Sequence, residues 1–462
     1  MVQLDRFEII FNNPEEAYFA GQEISGKVKI ESLSLFKNLI FQVIIENKEP
    51  KKVNEILLEL KGRARTYWTK HSGKSRKHCS HSEPYFLEQF NTGYTHKFTI
   101  VKDGKEKERV LPAGIHQVYF SKVPFSYTLP KSLPSSFEGE FGHIRYTCKA
   151  ICERPWDFDI VSRKAFTVVG IEDINSDPKL NEPVTCIESN HAVTFCCRST
   201  GSVTGEIRIP KCGFTPGEKI DVSFKLVPIS LAYPSTFFPF RVINLSSKTR
   251  NMALRFVQQT TYKAKTFAGH EHIKTVVRII SKIDKGEVPG GTTTEWQDEA
   301  ITIPSLPPKL GKCKILSVNY AVELEVEQTL TVPCSIVIGS IPQLSQLLIH
   351  SKQSVQSSGN GSLPKSSIKD SPPKWDSESC VQVTITDESG QLVEELGNEM
   401  EALLSARKRV RMPSSILSEL YPTMPSPYYK ESFFGASDIS EEKEQAQFGE
   451  ISFAPKYPFY TD

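Results

Sequence analysis

Through residues 1–342, apolar and polar side chains alternate singly in short runs separated by turn signals. Phe7, Ile9 and Phe11 alternate with Glu8 and Ile10, and Val28 and Ile30 with Lys27 and Lys29. Ile56, Leu58 and Leu60 face away from Glu55, Glu59 and Lys61. The clearest run sets Val318, Tyr320, Val322, Leu324 and Val326 against Asn319, Glu323, Glu325 and Glu327. A period of two gives each strand one dry and one wet face, as in antiparallel sandwiches. Between the runs stand "AGQE", "TGYT", "PAG", "TPGE" and "PGG", and no long helical pattern intervenes. The predicted fold class is all-β.

Two stretches echo each other. "YFAGQEISGKVKI" (18–30) and "GFTPGEKIDVSFKL" (213–226) share a turn glycine, an acidic residue and an alternating strand. Two related sandwiches account for the echo, at residues 1–172 and 187–342, with a polar, proline-bearing linker over 173–186. After Pro342 the texture changes. "HSKQSVQSSGNGSLPKSSIKDSPPKWDSES" (350–379) has too little apolar content to offset ordering entropy, so residues 343–462 are expected to form a disordered tail. Within it, Leu392, Leu396, Met400 and Leu403 recur at helical spacing ahead of "RKRVR", which suits a short amphipathic helix.

The chain has 462 residues, and its net charge of +2 conceals an asymmetry. Residues 343–462 carry 11 basic and 17 acidic side chains, against 45 and 37 in residues 1–342. A mildly basic body with an acidic tail fits acidic lipid or peptide and is too weak to argue for nucleic acid. The start, "MVQLDRFEIIFNN", lacks the basic and apolar regions of a secretory signal. The most apolar run, Leu33–Ile45, is interrupted by Lys37 and Asn38 and is too short to span a bilayer. Ten cysteines without C-x-x-C spacing read as reduced thiols of a cytoplasmic protein.

The stretch "PFSYTLPKSLPSSFEGEFGHIRYTCKAICERPW" (124–156) resembles the signature region of α-arrestins, the arrestin-domain-containing proteins. "FEIIFNNPEEAYFAGQEISGKV", "TTYKAKT" (260–266), Trp296 with "IPSLPP", and "LTVPCSIVIGSIP" (330–342) extend the similarity over most of residues 1–342. The resemblance implies two curved antiparallel β-sandwiches of the arrestin, immunoglobulin-like type. It also implies an adaptor of endocytic trafficking and ubiquitination, whose body engages membrane receptors or transporters. In that family PPxY motifs of the tail recruit WW-domain HECT ubiquitin ligases, and recruitment carries the protein from cytoplasm to plasma membrane and endosomes. A second reading keeps the arrestin body as a scaffold for a soluble signalling, metabolic or redox partner, without a ligase. Two stretches depart from the pattern. "SLSLFKNLIFQVIIE" (32–46) and "PISLAYPSTFFPFRVI" (228–243) read as apolar insertions into hairpins. They are intronic sequence, poorly ordered insertions, or hydrophobic loops that touch a membrane or partner.

No enzyme motif is present: there is no G-x-G-x-x-G, Walker lysine, H-E-x-x-H or G-x-S-x-G. No cofactor is expected. "KHSGKSRKHCSHSE" gathers His71, His78, Cys79 and His81, zinc ligands by type. Their irregular spacing among Gly, Ser and Lys favours a solvated hairpin tip over a metal site. Arg407, Lys408, Arg409 and Arg411 form either a solvated run or a contact for acidic lipid.

Candidate docking chemistry lies near the end. Family tails often read PPP-[ST]-Y-E-E-x-x-x-G, and "PSPYYKESFFG" keeps Pro425, Pro427, Tyr429, Glu431 and Gly435 but departs at Ser426 and Lys430. A WW groove stacks prolines of a polyproline II ligand on aromatics and seats the tyrosine in a second pocket. Ser426 in Ser426-Pro427-Tyr428-Tyr429 loses one stacking ring, so the motif reads as degenerate. "APKY" (Pro455, Tyr457) and "YPFY" (Pro458, Tyr460) add two x-P-x-Y sites, and three weak sites on one tail can act together. The competing reading is chance co-occurrence of proline and tyrosine.

Overall fold

The computed structural model describes residues 4–11, 13–26, 41–72, 75–102, 105–119, 125–193, 199–221, 240–246, 248–296, 300–327, 329–343, 421, 427–440 and 446–460. Residues 1–343 and 425–462 form one compact unit, and residues 344–424 separate as another, of which only Tyr421 is described. In the first unit the principal strands, numbered in chain order, begin with β1 (Arg6–Phe11), β2 (Phe41–Asn47), β3 (Ile56–Ser72) and β4 (Ser75–Asn91). They continue with β5 (Gly114–Tyr119), β6 (Gly142–Cys152), β7 (Ile160–Val169), β8 (Val184–Val193), β9 (Ser199–Ile209) and β10 (Phe240–Asn244). Next come β11 (Arg250–Thr266), β12 (Glu271–Val288), β13 (Thr292–Trp296), β14 (Leu316–Val326) and β15 (Leu330–Ile338). The C-terminal segment adds β16 (Tyr428–Glu431), β17 (Phe448–Gly449) and β18 (Lys456–Phe459).

The first sandwich packs the sheet β1-β2-β5 over β4-β3-β6-β7. The second packs β8-β9-β10-β13 over the sheet that β12, β11, β14 and β15 form. The alternation builds both cores. On β14 the odd-one-out faces follow the sequence pattern, with Val318, Tyr320, Val322, Leu324 and Val326 all buried. β11 pairs with β4 at Lys265–Ser80 and Thr266–Cys79, so one sheet runs through both sandwiches. The predicted pair of sandwiches is therefore joined by main chain as well as by side chains. Ser340 reinforces the joint, its hydroxyl accepting from the Glu172 amide at 2.9 Å and donating to the Gly170 carbonyl at 2.7 Å.

The echo between the sandwiches extends into hydrogen bonding. Tyr146 Oη donates to the Pro134 carbonyl at 2.7 Å, and Tyr320 Oη donates to the Pro307 carbonyl at 2.8 Å. Each buried phenol thereby ties a core strand to the proline-bearing loop that precedes it, satisfying a polar atom that burial would otherwise leave costly.

Both proposed insertions need correction. Phe41–Glu46, assigned to the first, belongs to β2, the central strand between β1 and β5, and Ile45 is fully buried opposite Phe7. Phe240–Ile243, assigned to the second, belongs to β10, paired with β9 and β13, with Val242 fully buried. Their apolar character is that of core strands. Residues 32–40 and 228–239 lie outside the described residues. The linker expected over 173–186 is shorter, because β8 begins at Val184; two short 3-10 turns precede it, and Ile174 in the first is buried. Cys148 and Cys152 fill core positions of β6, and burial raises both thiols above the usual range. Among the described residues, no helix is long and apolar enough to cross a membrane.

Candidate functional site: a docked C-terminal strap

The composition of residues 343–462 predicts disorder throughout. The end of the tail departs from this: residues 427–440 and 446–460 lie folded on the body as a strap. The reason is aromatic and aliphatic content, part of which meets surfaces contributed by distant sequence, although Ile451 and Phe433 stay exposed. Ile439 and Phe453 pack on Ala165 of β7, and the Phe448 ring meets Phe7 of β1 edge-on at 6.2 Å. The disorder expected over 350–379 and the helix expected over 392–403 fall outside the described residues, as do Arg407, Lys408, Arg409 and Arg411.

The strap is a distorted hairpin. β16 and β18 run antiparallel, with Tyr428 opposite Phe459, Tyr429 opposite Pro458 and Lys430 opposite Tyr457. Farther along, Ser437–Asp438 pairs with Ser452–Phe453. β17 adds to β7 in parallel, Phe448 beside Ser162 and Gly449 beside Arg163. Gly449 has φ +105°, and a Cβ there would fall inside the Arg163 carbonyl, so only glycine permits this approach. The Glu450 amide then donates to the same carbonyl at 3.1 Å.

Polar contacts tie the strap to both sandwiches. On the first, Tyr457 Oη donates to the Ser136 carbonyl at 3.0 Å, the Lys456 amide to Thr167 Oγ1 at 3.0 Å, and Arg163 Nη2 to the Ile439 carbonyl at 2.7 Å. Lys164 lies between Glu16 at 2.6 Å and Glu450 of the strap at 3.4 Å. On the second, Ser305 donates to the Lys430 carbonyl at 2.9 Å and accepts, through its own carbonyl, from the Phe433 amide at 2.8 Å. Tyr460 Oη donates to the Ser340 carbonyl at 2.9 Å, and its amide donates to Pro216 at 3.2 Å. Thus Ser136, in the stretch that carried the family resemblance, and Ser340, at the joint between sandwiches, both receive strap tyrosines.

This geometry gathers the candidate WW-ligand residues. Tyr457 is 1% exposed, Pro455 and Pro458 are buried, and Tyr460 is half-buried. Tyr429 is half-buried with its ring 6.4 Å from Phe19, while Tyr428 is exposed and packs one face on Phe459. Pro427 is half-buried, and Ser426 lies outside the described residues. Burial holds the Tyr429, Tyr457 and Tyr460 phenols above their usual pKa, and the Tyr457 and Tyr460 hydroxyls donate to main-chain carbonyls. A WW groove needs both the prolines and the tyrosine on an open polyproline II segment. The docked strap offers them as strands with their rings covered. Nothing local in the chain signals this, since the covering surface lies from 120 to 321 residues away at the hydrogen-bonded contacts.

The histidine-rich stretch forms the β3–β4 hairpin. His78 accepts or shares a hydrogen bond with Tyr67 Oη at 2.9 Å, and the adjacent Cys79 points to the opposite, buried face. Neighbours on opposite faces of a strand cannot share one ion.

Comparison with known proteins decides the family. The profile described as "Arrestin (or S-antigen), N-terminal domain" matches residues 42–175, and that of the arrestin C-terminal domain matches residues 199–343. The chain belongs to the α-arrestin family. It is similar to "Arrestin domain-containing protein 17" of Caenorhabditis elegans, 87% identical over 462 residues and all of both chains. That alignment spans residues 32–40 and 228–239 as well. Human "Thioredoxin-interacting protein" is 23% identical over 351 residues, 74% of this arrestin and 76% of that protein. The mouse protein of the same name is 22% identical over 351 residues.

Proposed function

We propose that this arrestin is a non-enzymatic adaptor that links membrane receptors or transporters to a WW-domain HECT ubiquitin ligase, promoting cargo ubiquitination and endocytosis. It works in the cytoplasm and is recruited to the plasma membrane and endosomes. The observation that carries the reading is the strap itself, which brings Pro427-x-Tyr429, Pro455-x-Tyr457 and Pro458-x-Tyr460 into one small hairpin. A ligase with several WW domains engages these sites together once the strap is undocked, because every contact after the first is intramolecular. While docked, the rings that a WW groove requires are covered, so ligase recruitment waits on release.

The test is capture of the full chain by tandem WW domains of a HECT ligase, comparing wild type, a strap-released variant and that variant carrying Tyr429→Ala, Tyr457→Ala and Tyr460→Ala. Binding gained on release and lost with the tyrosines supports the adaptor. No binding by the released chain removes the ligase from the reading.

A second reading has one observation behind it: relatives whose names say that they interact with thioredoxin. Under it the body holds a soluble redox partner. Among the described residues the cysteines are buried or half-buried, which favours a non-covalent contact over a mixed disulfide.

A further inference from the structure

Two hairpin turns emerge at the same end of the common sheet. β3 and β4 remain paired out to Ser72–Ser75, whereas β6 leaves β3 at Thr66. The β3–β4 ribbon therefore projects past its neighbours. Beside it, β11 and β12 meet in a turn at residues 267–270, locked to the ribbon by the Lys265–Ser80 and Thr266–Cys79 pairing. The base is rigid. Thr66 Oγ1 donates to the Lys263 carbonyl at 2.7 Å, and Trp68, Phe141 and Tyr262 interlock edge to face at 6.4 Å and 5.8 Å. Lys274 caps Phe141 at 3.3 Å.

The charge of the β3–β4 ribbon is of one sign, and the exposed acidic groups near its base are Glu140, in the turn that leads into β6, and Glu271 of the neighbouring hairpin. Residues 67–82 contain no acidic side chain, and Lys70, Arg76 and Lys77 of the ribbon are exposed. Cross-strand pairing puts Lys70 against Lys77 on one ribbon face and His71 against Arg76 on the other. On a free two-stranded ribbon, like charges directly opposite are destabilising, and an anion placed over Lys70 and Lys77 relieves their repulsion. Lys263 and Lys265 are exposed on the neighbouring hairpin, where Glu271 stands opposite Lys265. At the second turn, one residue past Thr266, Phe267 is 109% exposed.

We propose that these paired hairpin tips form a peripheral membrane-docking surface, in which Lys70, Arg76, Lys77 and Lys265 meet anionic phospholipid headgroups and Phe267 enters the interface beneath them. A projecting basic ribbon matches a flat anionic surface, and a purely acidic peptide would leave the wholly exposed Phe267 ring without an apolar partner. Aromatic side chains favour the headgroup level, and cations near the leaflet are attracted over a Debye length. The surface is distinct from the strap and acts whether or not a ligase is recruited.

The test is sedimentation of the full chain with phosphatidylcholine vesicles and with vesicles carrying about 30% phosphatidylserine, a typical anionic leaflet. Wild type binds the anionic vesicles, weakens with added salt and ignores phosphatidylcholine alone. Each cation contributes roughly five-fold, so Lys70→Gln, Arg76→Gln and Lys77→Gln together reduce partitioning on the order of 100-fold. Phe267→Ser costs roughly ten-fold, the worth of one buried phenyl ring. Phe267→Trp adds a reporter, whose emission shifts to the blue and is quenched by brominated lipid. All four substituted positions are exposed, and an unchanged thermal transition certifies the fold. Three results overturn the proposal: wild type that ignores anionic vesicles, a triple variant that binds as wild type does, or a loss seen only when Arg407, Lys408, Arg409 and Arg411 are changed to Gln. Equal binding of soluble polyglutamate, with no effect of Phe267→Ser, assigns the tips to an acidic peptide and overturns it too.

Discussion

Gly449→Ala opens the strap without touching a proline or tyrosine of the ligand sequences. Gly449 sits at φ +105° against the Arg163 backbone. A left-handed backbone costs an alanine about 1–2 kcal/mol. The added methyl also forces β17 away from β7, removing the Glu450–Arg163 bond at about 0.5–1.5 kcal/mol and loosening the Phe448–Phe7 edge contact, worth a similar amount. Alanine's smaller freedom in the undocked segment returns less than about 1 kcal/mol. The net effect is roughly 3 kcal/mol, or about a 100-fold rise in the undocked-to-docked ratio. Two readouts apply. Hydrogen exchange of residues 446–460 accelerates by that factor while β3, β6 and β14 keep their protection. Apparent affinity for a tandem WW module rises in proportion to the open fraction until the chain is mostly open. If residues 446–460 stay as protected as in wild type, the close approach of Gly449 to Arg163 is wrong. Faster exchange with unchanged WW affinity refutes the masking of the ligand instead.

Further predictions address other parts of the molecule. Ile45→Ala and Val242→Ala each destabilise the body by about 2–4 kcal/mol, read as a lower midpoint in chemical denaturation, because both side chains are fully buried in central strands; midpoints equal to wild type would return residues 41–46 and 240–243 to the status of dispensable insertions. The Tyr457 phenol is raised by burial when docked, so its contribution is complete below the ordinary value near 10.0 and is lost as pH climbs toward the docked pKa. Alkaline release of the strap, followed by exchange or proteolysis, is therefore expected from wild type and is weaker in Tyr457→Phe, and identical profiles would count against it. In the Gly449→Ala background, Ser426→Pro restores a stacking ring and stiffens the ligand, tightening a single WW domain several-fold, or about 1 kcal/mol; a titration showing no gain removes Pro427–Tyr429 as a WW contact.

The alternation of Val318 to Val326 and its counterparts determined the fold class, because a strand's two faces are written locally, one residue apart. The "SFEG" stretch carried the family resemblance, and its Ser136 is an anchor for the strap. Local reading failed where burial was decided at a distance. Phe41–Glu46 and Phe240–Ile243 look like exposed apolar insertions until partners on both sides make them central strands. The tail shows the same limit. Its sparse apolar residues cannot build a core among themselves, and by composition they belong to a disordered chain. Tertiary structure supplies what composition lacks: preformed surfaces on β1 and β7, a carbonyl at Ser136 and another at Ser340, so that Phe448, Tyr457 and Tyr460 each find a partner already in place. Docking onto an ordered body spends entropy on the strap alone, and a handful of well-placed rings is then enough to hold it.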